Sequence, residues 1–580
     1  MHAASLYSNL FIGGMVSVSY EFKINALKFH VVDGEDVSIV PKKIVVFVGP
    51  NNAGKSTALK EIRRAVLSED DYYGSVYSNS DTEMRLSNCV FSSIDLPTPK
   101  SAEEVISSLG LDSKVHRSVD GSWRNSDCCD FGLEINPMGS YHRNTFRPRQ
   151  PTQGIDWKSS LQAMIEPRDY GDGVAKWDKG GFYSFVGPSL VNYMGTEERL
   201  LFSIGAQYRG YLDSDSNFLS TTVLDADLYE SLSKETSAQF GKGVYPDIES
   251  RGGIVSLRSS CRARSKADPF LKDEGDGFRS FVATYLALAG GSRPLLLLDE
   301  PEAFLHPPQA RRLAQIIGEV SGSQVFVATH SEEVLKGLIT VCPDELTIVK
   351  IGLLDGKRYY SIVDPLSIVG LFSSSLHFSN IVDALFSKGA LLVEGKDDAV
   401  LVDALFDTLG LTDAPICIGV MGKTNFPMAA EFLQSAGVPF AVLADFDVLK
   451  DKSHYSKVIK CLGGSDDDVR TIVQTSNVVI GKMRDLGIDF KKNISFSLKQ
   501  RDSDLASQVN ALLTQLSDLG FWVLPDGELE SCLGNLVPYS ANKDAWLNAA
   551  LSFVADEGNR IALREAEISL YVSRIIERLK

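Results

Sequence analysis

In GPNNAGKST (49–57), Gly49, Gly54, Lys55 and Ser56 stand at the spacing G-x-x-x-x-G-K-[ST], after a β-branched run and before a helical one. The spacing suits phosphate. Bare backbone amides can wrap a β-phosphate, Lys55 can bridge β- and γ-oxygens, and Ser56 can ligate Mg²⁺. Asn52 and Thr57 complete the expected nucleotide cradle. Downstream, LLLLDEPEAFLHP (295–307) buries a strand on four leucines and ends it on Asp299, placed for the magnesium, and Glu300, placed to polarise a water for in-line attack. VFVATHSEEV (325–334) ends another apolar strand on His330, a residue able to sense a γ-phosphate.

A second set of acids lies further along. LLVEGKDDAVLVDALF (391–406) ends an apolar run on Glu394 and places Asp398 four residues later, at the start of a helix. Alone, acids there are explained by the helix dipole. FAVLADFDVLKD (440–451) ends a further apolar strand on Asp445 and Asp447, which strand alternation puts on one side. Two parallel strands ending in acid bring three or four carboxylates to one sheet edge, a crowding that is costly unless cations neutralise it. Between them GVMGKTNF (419–426) supplies a glycine turn with Lys423 and Asn425. LPDGELESCL (524–533) adds Glu528 and Glu530, with Glu530 the better further metal ligand.

The elements that must position these residues follow from apolar periodicity. Strands around 16–32 and 43–50 lead into the glycine turn and a helix over about 55–67. Residues 70–250 are looser and read as an irregular insertion, without heptads or repeats. A helix (279–289), a strand (294–300), a helix after HPPQARRL, a strand (324–330) and a helix from 332 then alternate. GLFSSSLHFSN (370–380) reads as a connector. A second series follows: strand 390–395, helix 397–409, strand 416–422, helix 427–436, strand 439–447, and a mostly helical last quarter. Such alternation implies largely parallel sheets covered on both faces, an α/β fold class.

Composition bounds the function. The chain has 580 residues, 44% of them hydrophobic and 23% charged, as in an ordinary multidomain globular protein. No stretch approaches the roughly 20 apolar residues of a membrane helix. The N-terminal segment lacks a basic n-region, so a cytoplasmic protein is expected. Eight scattered cysteines, at 89, 128, 129, 261, 342, 417, 461 and 532, show neither zinc nor disulfide spacing. A formal net charge of -17 argues against non-specific coating of nucleic acid. Two basic segments, 140–150 and 251–266, could still form local grooves or serve as solvated loops.

The ordered motifs of the first half resemble the ATP-binding-cassette (ABC) ATPases of structural-maintenance and recombination proteins. DEGDGFRSFVATYL (273–286) stands where that family's signature loop precedes a helix, so the resemblance implies that Gly277 and Ser280 close over the nucleotide of a second protomer in a homodimer. The series E-G-x-x-D, glycine turn, D-x-D is similar to the Toprim domain of topoisomerases, primases and certain nucleases. An ABC-type ATPase with an inserted region, followed by a Rossmann-like Toprim domain, resembles the OLD (overcoming lysogenisation defect) family nucleases. Relatives occur in bacterial anti-phage systems, including Gabija and some retrons.

That resemblance implies an ATPase domain over 1–370 with an insertion at about 70–250, a connector at 371–388 and a Toprim nuclease domain over 389–580. It implies ATP as cofactor and two-metal phosphodiester cleavage of DNA, with Mg²⁺ or Mn²⁺ held by Glu394, Asp398, Asp445, Asp447 and Glu530. Lys423 or Lys543 would assist. A defence partner, a helicase or a reverse transcriptase with its nucleic acid, is also implied, and no membrane. The alternative is a recombination or repair ATPase that clamps DNA while its Toprim-like domain binds without cutting.

Overall fold

The computed structural model describes residues 23–67, 89–96, 191–205, 226–249, 254–289, 294–373 and 381–579 with short interruptions, and hairpin fragments between 115 and 176. The strand expected near 16–20, the basic segment 140–150, Cys128, Cys129 and most of the 70–250 insertion lie outside these residues. The described residues fall into two compact units, one within 1–46 and 56–346, the other within 47–55 and 347–580.

In the first unit, the strands Val191–Met194, Leu295–Asp299 and Gln324–Ala328 lie side by side and parallel, with Leu298 opposite Met194 on one side and Val327 on the other. Their side chains are nearly all buried, which is why the sequence shows continuous apolar runs rather than alternation. The Lys43 carbonyl accepts from Val325 N–H at 2.8 Å, which sets the entry of the Ile44–Val48 strand beside this layer. Helices Lys55–Leu67, Asp276–Ala289, Pro307–Val320 and Glu332–Val341 follow the strand ends. A small antiparallel sheet joins Ala26–Phe29 to Val37–Ile39 and Phe91–Asp95. The buried Glu61 carboxylate accepts from the N–H groups of Val90 and Phe91 at that sheet's edge.

The second unit contains an antiparallel hairpin, Leu346–Leu354 with Lys357–Val363, turning at Gly356 with φ +75°. The phosphate loop backs onto it. A Cβ on Gly49 would stand 2.0 Å from the Ile351 carbonyl oxygen, so only glycine fits, and Arg358 Nε donates to the Ala53 carbonyl at 3.0 Å. Lys350, fully buried in the same hairpin, donates to the carbonyls of Ala384, Leu385 and Ser387 at 3.1–3.3 Å. Burial, with the Lys55 ammonium, pushes its pKa down to about 7. Ala384 and Leu385 belong to a short 3₁₀ helix, Val382–Phe386, and Ser387 follows it as the C-cap, all within the stretch 371–388 expected as a connector.

Beyond it a four-stranded parallel sheet runs in the order Ile416–Gly419, Ala390–Val393, Phe440–Ala444, Phe521–Val523. The chain leaves the Ala390 strand to one side and returns on the other. A topological switch point therefore lies between Val393 and Ala444, the crevice where open α/β sheets place their ligands. The apolar core on the helical side includes Leu391, Val402, Trp522, Trp546, Val572 and Ile576.

Close strand approach fixes Gly419. A Cβ there would meet Gly395 O, Gly395 C and Lys396 N at 2.5–2.7 Å, all of them backbone atoms. Gly419→Ala should lower unfolding stability by about 1–3 kcal/mol in urea titration. An unchanged midpoint would contradict this packing.

Candidate functional site

The nucleotide residues are set by backbone conformation. Gly49 and Gly54 have φ of +146° and +111°, and Asn52 adopts +62°. Glycine reaches such conformations without the Cβ clash, and asparagine tolerates the left-handed one. This is the local geometry that turns amides inward for phosphate. Lys55 is buried, and its Nζ donates to the carbonyls of Gly49 and Pro50 at 2.8 Å each. Thr57 is exposed.

Ser56 Oγ donates to Asp299 Oδ1 at 2.8 Å, so the hydroxyl and carboxylate expected around one magnesium are neighbours. Asp299 Oδ2 accepts from the Tyr193 hydroxyl at 3.0 Å. Burial, followed by the Asp299 charge, raises the Tyr193 pKa far above the usual phenol value. Glu300 follows in the left-handed region at φ +49°, and its Oε1 lies 3.4 Å from His330 Nε2. Two members of this site carry no motif. Glu302 Oε1 accepts from Thr329 Oγ1 at 2.7 Å and His330 N–H at 2.8 Å. Its Oε2 is buried without a partner, and burial raises its pKa. Arg199, wholly buried, reaches the backbone of Asp299 and Glu300.

Ser280 departs from expectation. Its hydroxyl accepts from Arg199 Nε at 2.9 Å and is fully buried. It therefore faces the interior of its own chain rather than a second protomer, because residues 280–288 of this helix are apolar or small and pack inward. Asp273, Gly275 and Asp276 form the exposed part of that segment. A Cβ on Gly277 would meet the Phe304 carbonyl oxygen at 2.4 Å, so that glycine permits close packing within the chain. In the basic segment 251–266, Arg258 pairs with Asp247 at 2.6 Å and lies over the Phe270 ring at 3.7 Å, so it is a structural residue.

In the second unit, Glu394 and Asp445 follow the adjacent strand ends Val393 and Ala444 at the switch point. Asp398 Oδ2 accepts from Gly395 N–H at 2.8 Å, so it caps the helix Lys396–Leu409 while it faces the other acids. Glu394 Oε2 is buried and accepts no hydrogen bond. Asp445 is half-buried. Burial, then the carboxylates of Asp398, Glu394, Glu528 and Glu530, pushes its pKa up to about 9. Burial, with Glu530 and Glu394 nearby, raises Asp398 to about 6, and burial also raises Glu394.

The outer acids are treated differently. Asp447 Oδ2 is held by Lys423 Nζ at 2.6 Å and Lys450 Nζ at 3.7 Å. The strand ends at Ala444 and Asp445 stands at the start of a 3₁₀ turn, Phe446–Lys450, so the expected strand alternation of the two aspartates does not occur. Glu528 Oε1 pairs with Lys491 at 2.7 Å, and Glu530 lies 3.6 Å from Lys543. Glu394, Asp398 and Asp445 have no lysine in contact among the described residues. They form the centre of the group, reached by the Lys423 and Lys543 charges only at longer range.

A divalent cation fits the chemistry of this centre, because an orphaned buried carboxylate oxygen and mutually repelling acids both gain by binding one. As the side chains stand, no three His, Cys, Asp or Glu residues among the described ones are gathered into a ready chelate.

Two P-loop-type and Toprim-type sites on parallel sheets define the class: an ATPase domain joined to a Toprim domain. Residues 262–336 match a family profile for an AAA domain (AAA_21), and residues 385–447 match the profile "Overcoming lysogenization defect protein-like, TOPRIM domain". An OLD nuclease of Thermus scotoductus (strain ATCC 700910 / SA-01) is 26% identical over 167 residues, 26% of this chain and 31% of that protein. In these stretches the chain is similar to an AAA-type ATPase domain and to the Toprim domain of OLD-like proteins. The chain thus spans less than one third of the length of the curated relative it matches.

Among solved structures, an SMC head bound to the C-terminal winged-helix domain of ScpA covers 59% of this chain and 98% of its own, at 16% identity and TM-score 0.31. The SMC head domain from Thermotoga maritima covers 59% and 99%, at 17% and 0.26. At these scores the description of the fold rests on the strand order itself. No helix among the described residues is long and apolar enough to cross a membrane.

The raised carboxyl pKa values make stability depend on pH. The folded chain keeps a proton on Asp445 up to about pH 9, whereas the unfolded chain releases it near 3.8. Between those limits the folded form binds more protons, so stability falls as pH rises through the window. Metal-free protein should melt lower at pH 8.5 than at pH 6, and Asp445→Asn should flatten that slope. Thermal scans in chelator that show a steeper slope for the variant would contradict the assignment.

Proposed function

We propose that the chain is a metal-dependent DNA endonuclease whose activity is tied to ATP binding and hydrolysis. The observation that carries this reading is the trio Glu394, Asp398 and Asp445 at the switch point of the parallel sheet. Divalent cations, Mg²⁺ or Mn²⁺, bound there would supply a hydroxide at neutral pH and stabilise charge on the leaving oxygen of a phosphodiester. Glu394 and Asp445 would be the principal ligands, joined by Asp398 through its oxygen not used in capping, by Asp447 and by Glu530. Lys423, Lys450, Lys491 and Lys543 orient the outer acids and would hold positive charge beside the position of a scissile phosphate.

In the ATPase domain, Gly49, Asn52, Gly54, Lys55, Ser56 and Thr57 bind the triphosphate. Ser56 and Asp299 ligate its magnesium, Glu300 orients the attacking water and His330 senses the γ-phosphate. The domain reading is an ATPase over 1–370, a connector at 371–388 and a nuclease over 389–580. We further propose homodimerisation through the ATPase half and a role as an anti-phage effector with a helicase or reverse transcriptase partner.

Cleavage and ATP turnover should separate genetically. Incubation of the protein with plasmid and linear DNA in Mn²⁺ or Mg²⁺ should give cleavage that Asp445→Ala abolishes, a loss of at least about 100-fold, while ATP turnover persists. Lys55→Ala should remove turnover. Retained cleavage in Asp445→Ala would overturn the nuclease reading and favour a DNA clamp with a binding-only Toprim domain.

A further inference from the structure

The best-connected buried charge of the first unit has no role in any motif. Arg199 lies in the helix Thr196–Gly205, directly after the edge strand Val191–Met194, and has no exposed surface. Its Nε donates to Ser280 Oγ at 2.9 Å. Its Nη1 donates to the carbonyls of Met194 at 2.9 Å and Asp299 at 2.7 Å, and its Nη2 to the carbonyl of Glu300 at 2.7 Å. A guanidinium buried this deeply is tolerated only when its planar fork finds acceptors on several sides. Here the acceptors come from three separate pieces of chain.

Two of those acceptors flank the residue expected to orient the hydrolytic water. Glu300 is held at φ +49°, a conformation that disfavours side chains with a Cβ and persists only where the surroundings enforce it. Arg199 grips the peptide on both sides of that Cα, since the Asp299 carbonyl precedes it and the Glu300 carbonyl follows. The same guanidinium ties this peptide to Ser280 in the helix Asp276–Ala289, and Arg279 Nη2 donates back to the Leu200 carbonyl at 2.9 Å.

We propose that Arg199 is the positioning residue of the ATPase site, clamping the Asp299–Glu300 peptide so that the Glu300 carboxylate is held beside His330. The inference rests on the reading of Glu300 as the hydrolytic residue. Arg199 touches no phosphate and acts through Glu300. Lysine cannot replace it, because an ammonium on a flexible stem cannot reach two successive carbonyls and Ser280 from one plane.

The test compares the full-length wild type with Arg199→Lys, Ser280→Ala, Glu300→Gln and the Arg199→Lys/Glu300→Gln double variant. Arg199→Lys should keep its ATP dissociation constant within about twofold while kcat falls at least about 30-fold, the size expected when a reacting group is misplaced by about an ångström. Ser280→Ala, which keeps the guanidinium, should lower kcat about threefold in the same direction and serves if Arg199→Lys does not fold. In the Glu300→Gln background the Arg199 change should add less than about twofold, because both act through one group. Arg199→Lys with turnover within twofold of wild type, or a full further 30-fold loss on top of Glu300→Gln, would overturn the proposal.

Hydrogen exchange of the peptide 298–303 is read alongside, without nucleotide. Lost protection there in Arg199→Lys supports the clamp, and unchanged protection overturns it. A wild type that turns over no ATP defeats the ATPase reading, while the exchange arm still decides the clamp.

Discussion

Crowding of like charge at a parallel sheet edge governs the second unit. Glu394 and Asp445 follow strands that are neighbours in the sheet, and Asp398 reaches back to the same corner from the helix start. Burial and neighbouring carboxylates raise the pKa of all three, so protons, lysines or metal ions must share the corner. The lysines take the outer positions, on Asp447, Glu528 and Glu530. Among the inner ones a proton is held most firmly on Asp445, whose pKa burial and the neighbouring carboxylates push up to about 9.

The surrounding architecture reads as support for that corner. Gly419 lets the Gly395 backbone approach, and Gly527, at φ +114° and with no room for a Cβ against Lys491, turns the chain that carries Glu528 and Glu530. Phe446 N–H donates to the Gly527 carbonyl at 2.9 Å, which ties this turn to the Asp445 loop. In the same unit Lys350 fastens the hairpin behind the phosphate loop to the short helix that leads into the Glu394 strand. Three residues separate the Phe386 end of that helix from the strand's first residue, Ala390, which leaves little slack in the link.

Much of this was legible in the sequence, because both sites end apolar strands and buried parallel strands announce themselves as uninterrupted apolar runs. The helix at 55–67 and the strands beginning at 324, 390 and 416 occur where periodicity puts them. The misses have physical causes. Asp447 was grouped with Asp445 by strand alternation, and a 3₁₀ turn after Ala444 breaks that period. Ser280 was placed by analogy with a signature loop, although the apolar helix around it marks an inward face. Arg199 gave no signal at all: an arginine directly after two glutamates in TEERLLF reads as a solvated face, and only tertiary packing shows it buried among carbonyls. The lysines paired with Asp447, Glu528 and Glu530 lie 3 to 37 residues away in the chain and follow no fixed spacing.

The central claim is that the corner formed by Glu394, Asp398 and Asp445 is built for divalent cations. A crystal structure of the protein grown with Mn²⁺, using anomalous scattering to locate manganese, tests it most directly. Anomalous density ligated by Glu394 and Asp445, and absent in Glu394→Gln crystals, is the predicted result. Saturating Mn²⁺ with no anomalous density at that corner would contradict the account.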